Sequence, residues 1–131
     1  MRVIKFRGFH ADENGQTVIK LNGKEIRGFW FYGDLHTDGP YINEHLVIPE
    51  TVGQYTGLDD VNRREIFEGD IVKYAIYPKD NFEVHEVTFD HGVFGCKDAG
   101  CGLCVACMDG VEEYSLKVIG NIFENPEIIG E

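Results

Sequence analysis

Along most of this chain apolar residues recur at every second position, and no long stretch carries them at helical spacing. A side-chain period of two belongs to strands with one face toward a core, whereas an amphipathic helix repeats every 3.6 residues. Residues 2–8 read as a first strand, with Ile4 and Phe6 on one face and Lys5 and Arg7 on the other. Residues 17–21 make a second, closed by Asn22-Gly23, a pair that accepts the positive φ values of a tight hairpin. The aromatic run 26–32 follows as a strand, then a loop through Asp38-Gly39-Pro40, then a strand over 45–48 ended by Pro49. Asp59 to Asn62 has turn chemistry, because short polar side chains can bond nearby backbone. Glu68-Gly69-Asp70 is a second turn that launches a strand over 71–77, with 83–89 as its partner. Residues 112–123 alternate again, with Tyr114, Leu116 and Val118 on one face, and Asn125-Pro126-Glu127 suits the start of a short helical turn. Many short strands with regular turns predict an all-β protein, one compact barrel-like or sandwich-like domain over 1–131 with at most short helical turns.

Composition bounds the partners. At 131 residues the chain is long enough to bury a core without disulfides. Its 23 acidic and 12 basic residues give a net charge of −11, which repels phosphates and anionic membranes. Non-specific nucleic-acid binding needs Lys and Arg to release counterions, and the longest basic runs are Arg63-Arg64 and Lys5-Phe6-Arg7. Neither nucleic acid nor membrane is therefore expected as a partner. No apolar run approaches the length of a membrane span, and the start Met1-Arg2-Val3-Ile4-Lys5 lacks the apolar segment of a secretory signal. A cytoplasmic location with reduced thiols is the expectation.

Three blocks of sequence carry a family resemblance. The first is Ile4-Lys5-Phe6-Arg7 with Trp30-Phe31-Tyr32-Gly33-Asp34-Leu35. The second is Val52-Gly53-Gln54-Tyr55-Thr56-Gly57-Leu58 followed by Glu65-Ile66-Phe67-Glu68-Gly69-Asp70-Ile71-Val72. The third is Val118-Ile119-Gly120-Asn121-Ile122-Phe123-Glu124-Asn125-Pro126-Glu127. In order and spacing the chain resembles the YopX family of phage and prophage proteins. The resemblance implies a β-rich barrel-like domain, a phage or prophage origin and no assigned activity, and it transfers no catalytic residue. The chain departs from the family pattern at Phe9, where an aromatic Trp is usual, and at Asn62-Arg63, where Asn-Gly is usual. Arg costs more than Gly at positive φ, so the geometry of that turn does not carry over with the resemblance. The cysteine segment lies outside the family pattern.

Cys96, Cys101, Cys104 and Cys107 fall within twelve residues, among glycines at 95, 100 and 102. Thiolates at short spacing suit zinc or an iron–sulfur cluster. Structural zinc sites place two Cys-x2-Cys knuckles on separate turns, and here Cys104 would serve two overlapping ones. The plainer reading is a hairpin loop with reduced thiols and no cofactor; a zinc-binding module on this loop is the alternative function. Asp34, His36 and Asp38 alternate as metal ligands do, but the flanking Gly33 and Gly39-Pro40 favour a solvated loop.

Catalytic patterns are absent. Ser115 is the only serine and sits inside a strand pattern, with no Gly-x-Ser-x-Gly elbow. There is no phosphate loop and no dinucleotide fingerprint. The neighbours Asp59-Asp60 and Glu112-Glu113 point to opposite faces of a strand and read as solvated carboxylates. His85 and His91 flank a strand end and read as surface or half-buried. Consecutive aromatics from Phe29 to Tyr32 must face both sides of a strand, one into the core and one toward a subunit or the rest of a curled sheet. The expected function is non-catalytic, binding or assembling through a protein partner or as a homo-oligomer. An acidic decoy imitating nucleic acid is a weaker reading, because the acids are scattered and interrupted by Lys and Arg.

Overall fold

The computed structural model describes residues 4–36, 38–76, 81–90, 93–97, 103–104 and 116–129. Those residues are all-β: thirteen strands, with 3₁₀ turns at Pro49–Thr51 and Pro126–Ile129 as the helical elements. No helix among them is long and apolar enough to cross a membrane. The chain divides into two compact units, Met1–Tyr55 and Thr56–Glu131.

In the first unit, β1 (Phe6–Ala11), β2 (Thr17–Leu21) and β3 (Lys24–Gly33) form an antiparallel sheet in which β3 lies between the other two. The Asn22-Gly23 turn sets the register as its sequence predicts. Asn22 at φ 53° and Gly23 at φ 80° join Leu21 directly to its partner Lys24. The buried face of β1 is the opposite of the one its apolar pattern suggests. Arg7 and Phe9 are buried while Ile4 is 66% exposed. The reason is Trp30, which lies across from Phe9 in the register. The Phe9 ring meets it edge-on at 5.2 Å, and the Arg7 guanidinium lies 4.9 Å from its centroid. An arginine over an indole face keeps its charge favourably placed while its stem is buried.

The other face of this sheet carries Gly8, His10, Phe29 and Phe31, as the pairs Gly8–Phe31 and His10–Phe29 require. A small antiparallel sheet covers part of it, formed by β4 (Leu35–His36), β5 (Tyr41–Ile42) and β6 (His45–Leu46). Val47 packs so close to Gly8 that a Cβ there would lie 2.7 Å from its Cγ2. The 3₁₀ turn Pro49–Thr51 then binds β1 at Phe9, on the edge away from β3. Thr51 Oγ1 accepts the Phe9 amide at 2.9 Å, Ile48 N donates to Phe9 O at 2.8 Å, and Thr51 is 1% exposed. The strand predicted over 45–48 is thus shorter than expected, because Ile48 bonds β1 instead of extending β6.

β7 (Gly53–Asp59) begins in the first unit, where it pairs with β1 at Gly53 and Gln54, and its remainder belongs to the second. In the second unit β8 (Glu65–Phe67) precedes β9 (Asp70–Ile76). β9 pairs with β10 (Asn81–Asp90), as predicted, and with β13 (Leu116–Asn121) on its other side. β11 (Val93–Lys97) and β12 (Leu103–Cys104) extend the sheet to the order β12-β11-β10-β9-β13. Ile66, Val72, Val87, Leu116 and Val118 make the core, with Leu58 packed against it. His85, opposite Val72 and 1% exposed, is fully buried on that same face, not at the surface or half-buried as the sequence suggested. His91, Glu112, Glu113, Tyr114 and Ser115 lie outside the described residues.

Candidate interaction surface

The polar residues in and between this chain's sequence blocks prove to be turn and cap chemistry. Asp60 was expected to be solvated; it is 3% exposed. Its Oδ1 accepts the amides of Asn62 and Arg64, and its Oδ2 accepts the amide of Val118, each at 2.8 Å. One carboxylate therefore closes its own turn and pins it to β13. Those bonds hold Arg63 at φ 64°, a left-handed value that costs a side chain more than it costs glycine. Asp70 Oδ2 likewise accepts the Phe67 amide at 2.8 Å across the turn containing Gly69, φ 94°. Asn121 closes the last block. Its Oδ1 accepts the amides of Phe123 and Glu124, and its Nδ2 donates to Glu124 Oε2 at 2.8 Å. The side chain of Asn125 turns back to the Asn121 amide at 3.3 Å, and its carbonyl accepts the amide of Ile128 in the final 3₁₀ turn. These groups bond backbone or a neighbouring side chain of their own turn, which leaves them as architecture.

The metal candidates do not assemble among the described residues, which contain no group of three or more His, Cys, Asp or Glu placed to hold an ion. Asp34, His36 and Asp38 are exposed as expected, but His36 lies on β4 and not in a loop. The Asp34 amide instead donates to Asn43 Oδ1 at 3.2 Å, and Asn43 Nδ2 donates to Tyr32 O at 3.0 Å. Of the cysteines, Cys101 and Cys107 lie outside the described residues. The backbone of Cys96 is placed on β11 opposite Leu103, and that of Cys104 on β12 opposite Gly95.

What the structure assembles in their place is an aromatic and histidine surface on the first unit. His45 stacks flat on Phe31, with ring centroids 3.8 Å apart and planes 6° from parallel. His10 meets Phe31 edge-on at 5.6 Å and lies 6.2 Å from His45. A carbonyl can only accept, so the 2.7 Å contact between His10 Nδ1 and Leu46 O fixes the proton on Nδ1. Beside this cluster lies a shallow groove of about 310 Å³ lined by His10, Ala11, Pro40, Leu46, Val47, Ile48 and Pro49. Leu46 at its rim is 54% exposed, and Tyr41, its cross-strand partner, is 39% exposed. Phe29, opposite His10, is 38% exposed. Ile42 and His45 face the first sheet, so their neighbours Tyr41 and Leu46 point to the outer side of the small sheet, and of the exposed apolar side chains it is Leu46 that lines the groove.

Sequence reasoning placed extra apolar surface at Phe29 to Tyr32, and the register does divide these aromatics between two faces. It missed His10, Tyr41, His45 and Leu46. Two-residue strands are too short to show a period, and the pairing of His10 with the segment around Leu46 joins residues 36 apart.

Comparison with known proteins agrees with the blocks described above. The model of the family described as YopX protein matches residues 5–130. The SPbeta prophage-derived uncharacterized protein YopX of Bacillus subtilis (strain 168) is 27% identical over 125 residues, covering 90% of this chain and 84% of the relative. The crystal structure of protein EF1440 from Enterococcus faecalis is similar at a TM-score of 0.51 and 25% identity, covering 98% of this chain and 99% of that one. With a family match running from the first strand to the last turn, the chain belongs to the YopX protein family.

Proposed function

We propose that this protein is a prophage-encoded, non-catalytic module that acts in the cytoplasm of its bacterial host by assembling with further copies of itself. The prophage origin rests on the name of the Bacillus subtilis relative. The observation that carries the reading is the apolar groove rimmed by the 54% exposed Leu46. A second copy is the favoured occupant on grounds of charge. Residues 1–55 carry six Lys and Arg against seven Asp and Glu, whereas residues 56–131 carry six against sixteen. The acidic excess is thus carried by residues 56–131 and not by the segment bearing the surface. An interface here would place Leu46 at a dry centre with charged side chains at the rim. Neither nucleic acid nor membrane enters the proposal, since most of the net charge would repel both.

Sedimentation velocity of the purified chain at physiological salt tests it. Reversible association in the micromolar range supports the reading, and a strict monomer at high concentration removes it. A reproducible turnover abolished by one side-chain replacement would remove the non-catalytic part.

A further inference from the structure

We infer that the outer edge of β2 is a strand-addition site for an extended, acidic peptide segment. This site lies beyond the groove and does not depend on the self-association reading. The geometry follows from the Asn22-Gly23 turn. In a two-residue hairpin the residues flanking the turn exchange both backbone hydrogen bonds, so Leu21 and Lys24 form a hydrogen-bonded pair. Alternation then makes Ile19–Ile26 and Thr17–Gly28 hydrogen-bonded pairs as well. Val18 and Lys20 fall between them, opposite Arg27 and Glu25, and direct their N–H and C=O groups away from β3. The bond from Asp12 N to Arg27 O at 2.8 Å, on the far side of β3, fits this phase. β2 is the last strand of its sheet among the described residues, so its outer edge presents the main-chain pattern that a further strand needs.

Edges are usually protected by proline, bulges or inward-pointing charge. β2 reads Thr17-Val18-Ile19-Lys20-Leu21, with high strand propensity, no proline and an unbroken register. Its one charge, Lys20, is exposed. That charge also indicates the occupant. The β2–β3 hairpin carries Lys20, Lys24 and Arg27 against Glu25, all four exposed, a local basic excess in a chain of net charge −11. An added strand with carboxylates at alternate positions would lie beside Lys20, while its other side chains would meet the apolar side of Leu21. A basic segment would meet like charge, which is unfavourable directly across or diagonal to it.

The test uses a fluorescein-labelled nine-residue peptide of alternating Glu and Val, with an alternating Lys and Val peptide as its counterpart. The full chain should bind the first and not the second by anisotropy, and the Val18 and Lys20 amides should show slowed hydrogen exchange in the complex. Lys20→Glu combined with Lys24→Glu should weaken binding at least tenfold. Val18→Pro removes an outward N–H and no bond to β3, so it should abolish binding while far-UV circular dichroism stays unchanged. If Val18→Pro disturbs the fold, the charge-reversed variant and the exchange pattern still decide. Equal binding of both peptides, no binding, or protection elsewhere would overturn the inference. So would an oligomer that Val18→Pro turns into a monomer, since a second copy would then be the occupant.

Discussion

Replacing Asp60 by alanine should destabilise the second unit by roughly 4 kcal/mol, and the size of the effect follows from where the three lost bonds lead. The carboxylate is 3% exposed and accepts three amides at 2.8 Å. Asn62 and Arg64 are exposed, so water can replace their lost partner, at about 0.5–1.5 kcal/mol each. Val118 is 5% exposed, so its amide would be left buried without an acceptor, at about 1–3 kcal/mol. Asp60→Asn separates these contributions. An amide oxygen can still accept from Asn62 and Arg64, but the NH₂ group that replaces Oδ2 faces the Val118 N–H donor to donor. That variant should lose about 2 kcal/mol, between wild type and Asp60→Ala. Urea denaturation followed by far-UV circular dichroism measures all three proteins, with hydrogen exchange at Val118 reporting the buried bond. A cost below about 1 kcal/mol for Asp60→Ala, or equal costs for the two variants, would refute the assignment of Asp60 as a three-amide acceptor.

Three further substitutions test other parts of the fold. Arg63→Gly should stabilise by about 0.5–1 kcal/mol in the same urea titration, because φ 64° strains a side chain and glycine gives part of that relief back as backbone entropy. Thr51→Val keeps the volume of a buried side chain but removes the acceptor of the Phe9 amide, and should cost about 1–3 kcal/mol by thermal or urea unfolding. Gly8→Ala should destabilise by about 1–3 kcal/mol, since the added methyl lies 2.7 Å from Val47 Cγ2 and that buried side chain must move; a neutral result would mean looser packing there.

The local features of this fold were legible in the sequence, and those made by distant pairing were not. Asn22-Gly23 announces its hairpin because the turn geometry is a property of two adjacent residues. The pairing of β9 with β10 and the buried face of Leu116 and Val118 were likewise visible as alternation between turns. The burial of Arg7 was not legible, because nothing in Lys5-Phe6-Arg7 reveals that Trp30 will lie against the Arg7 guanidinium. Asp60 was read as solvated because an Asx turn and a surface carboxylate look alike until Val118, 58 residues away, is brought to its second oxygen. The groove lay deeper still. Leu46 reaches His10 from a strand of two residues, which is set by pairing and carries no periodicity of its own. The family blocks pointed to Asp70 and Asn121, residues that build turns, while the exposed Tyr41 and Leu46 fall between the blocks.

The central claim, that copies of this chain meet through the groove of the first unit, is tested most directly by sedimentation equilibrium of three proteins at physiological salt. They are wild type, Leu46→Asp at the rim of the groove, and Val61→Asp as a matched change in an exposed residue of the second unit. Burying a leucine contributes about 1.5–3 kcal/mol. Its loss, with a carboxylate left to desolvate, should weaken association at least tenfold. The account predicts that wild type and Val61→Asp associate alike while Leu46→Asp is monomeric at the same concentrations. A wild-type monomer, or association that survives Leu46→Asp unchanged, would contradict it.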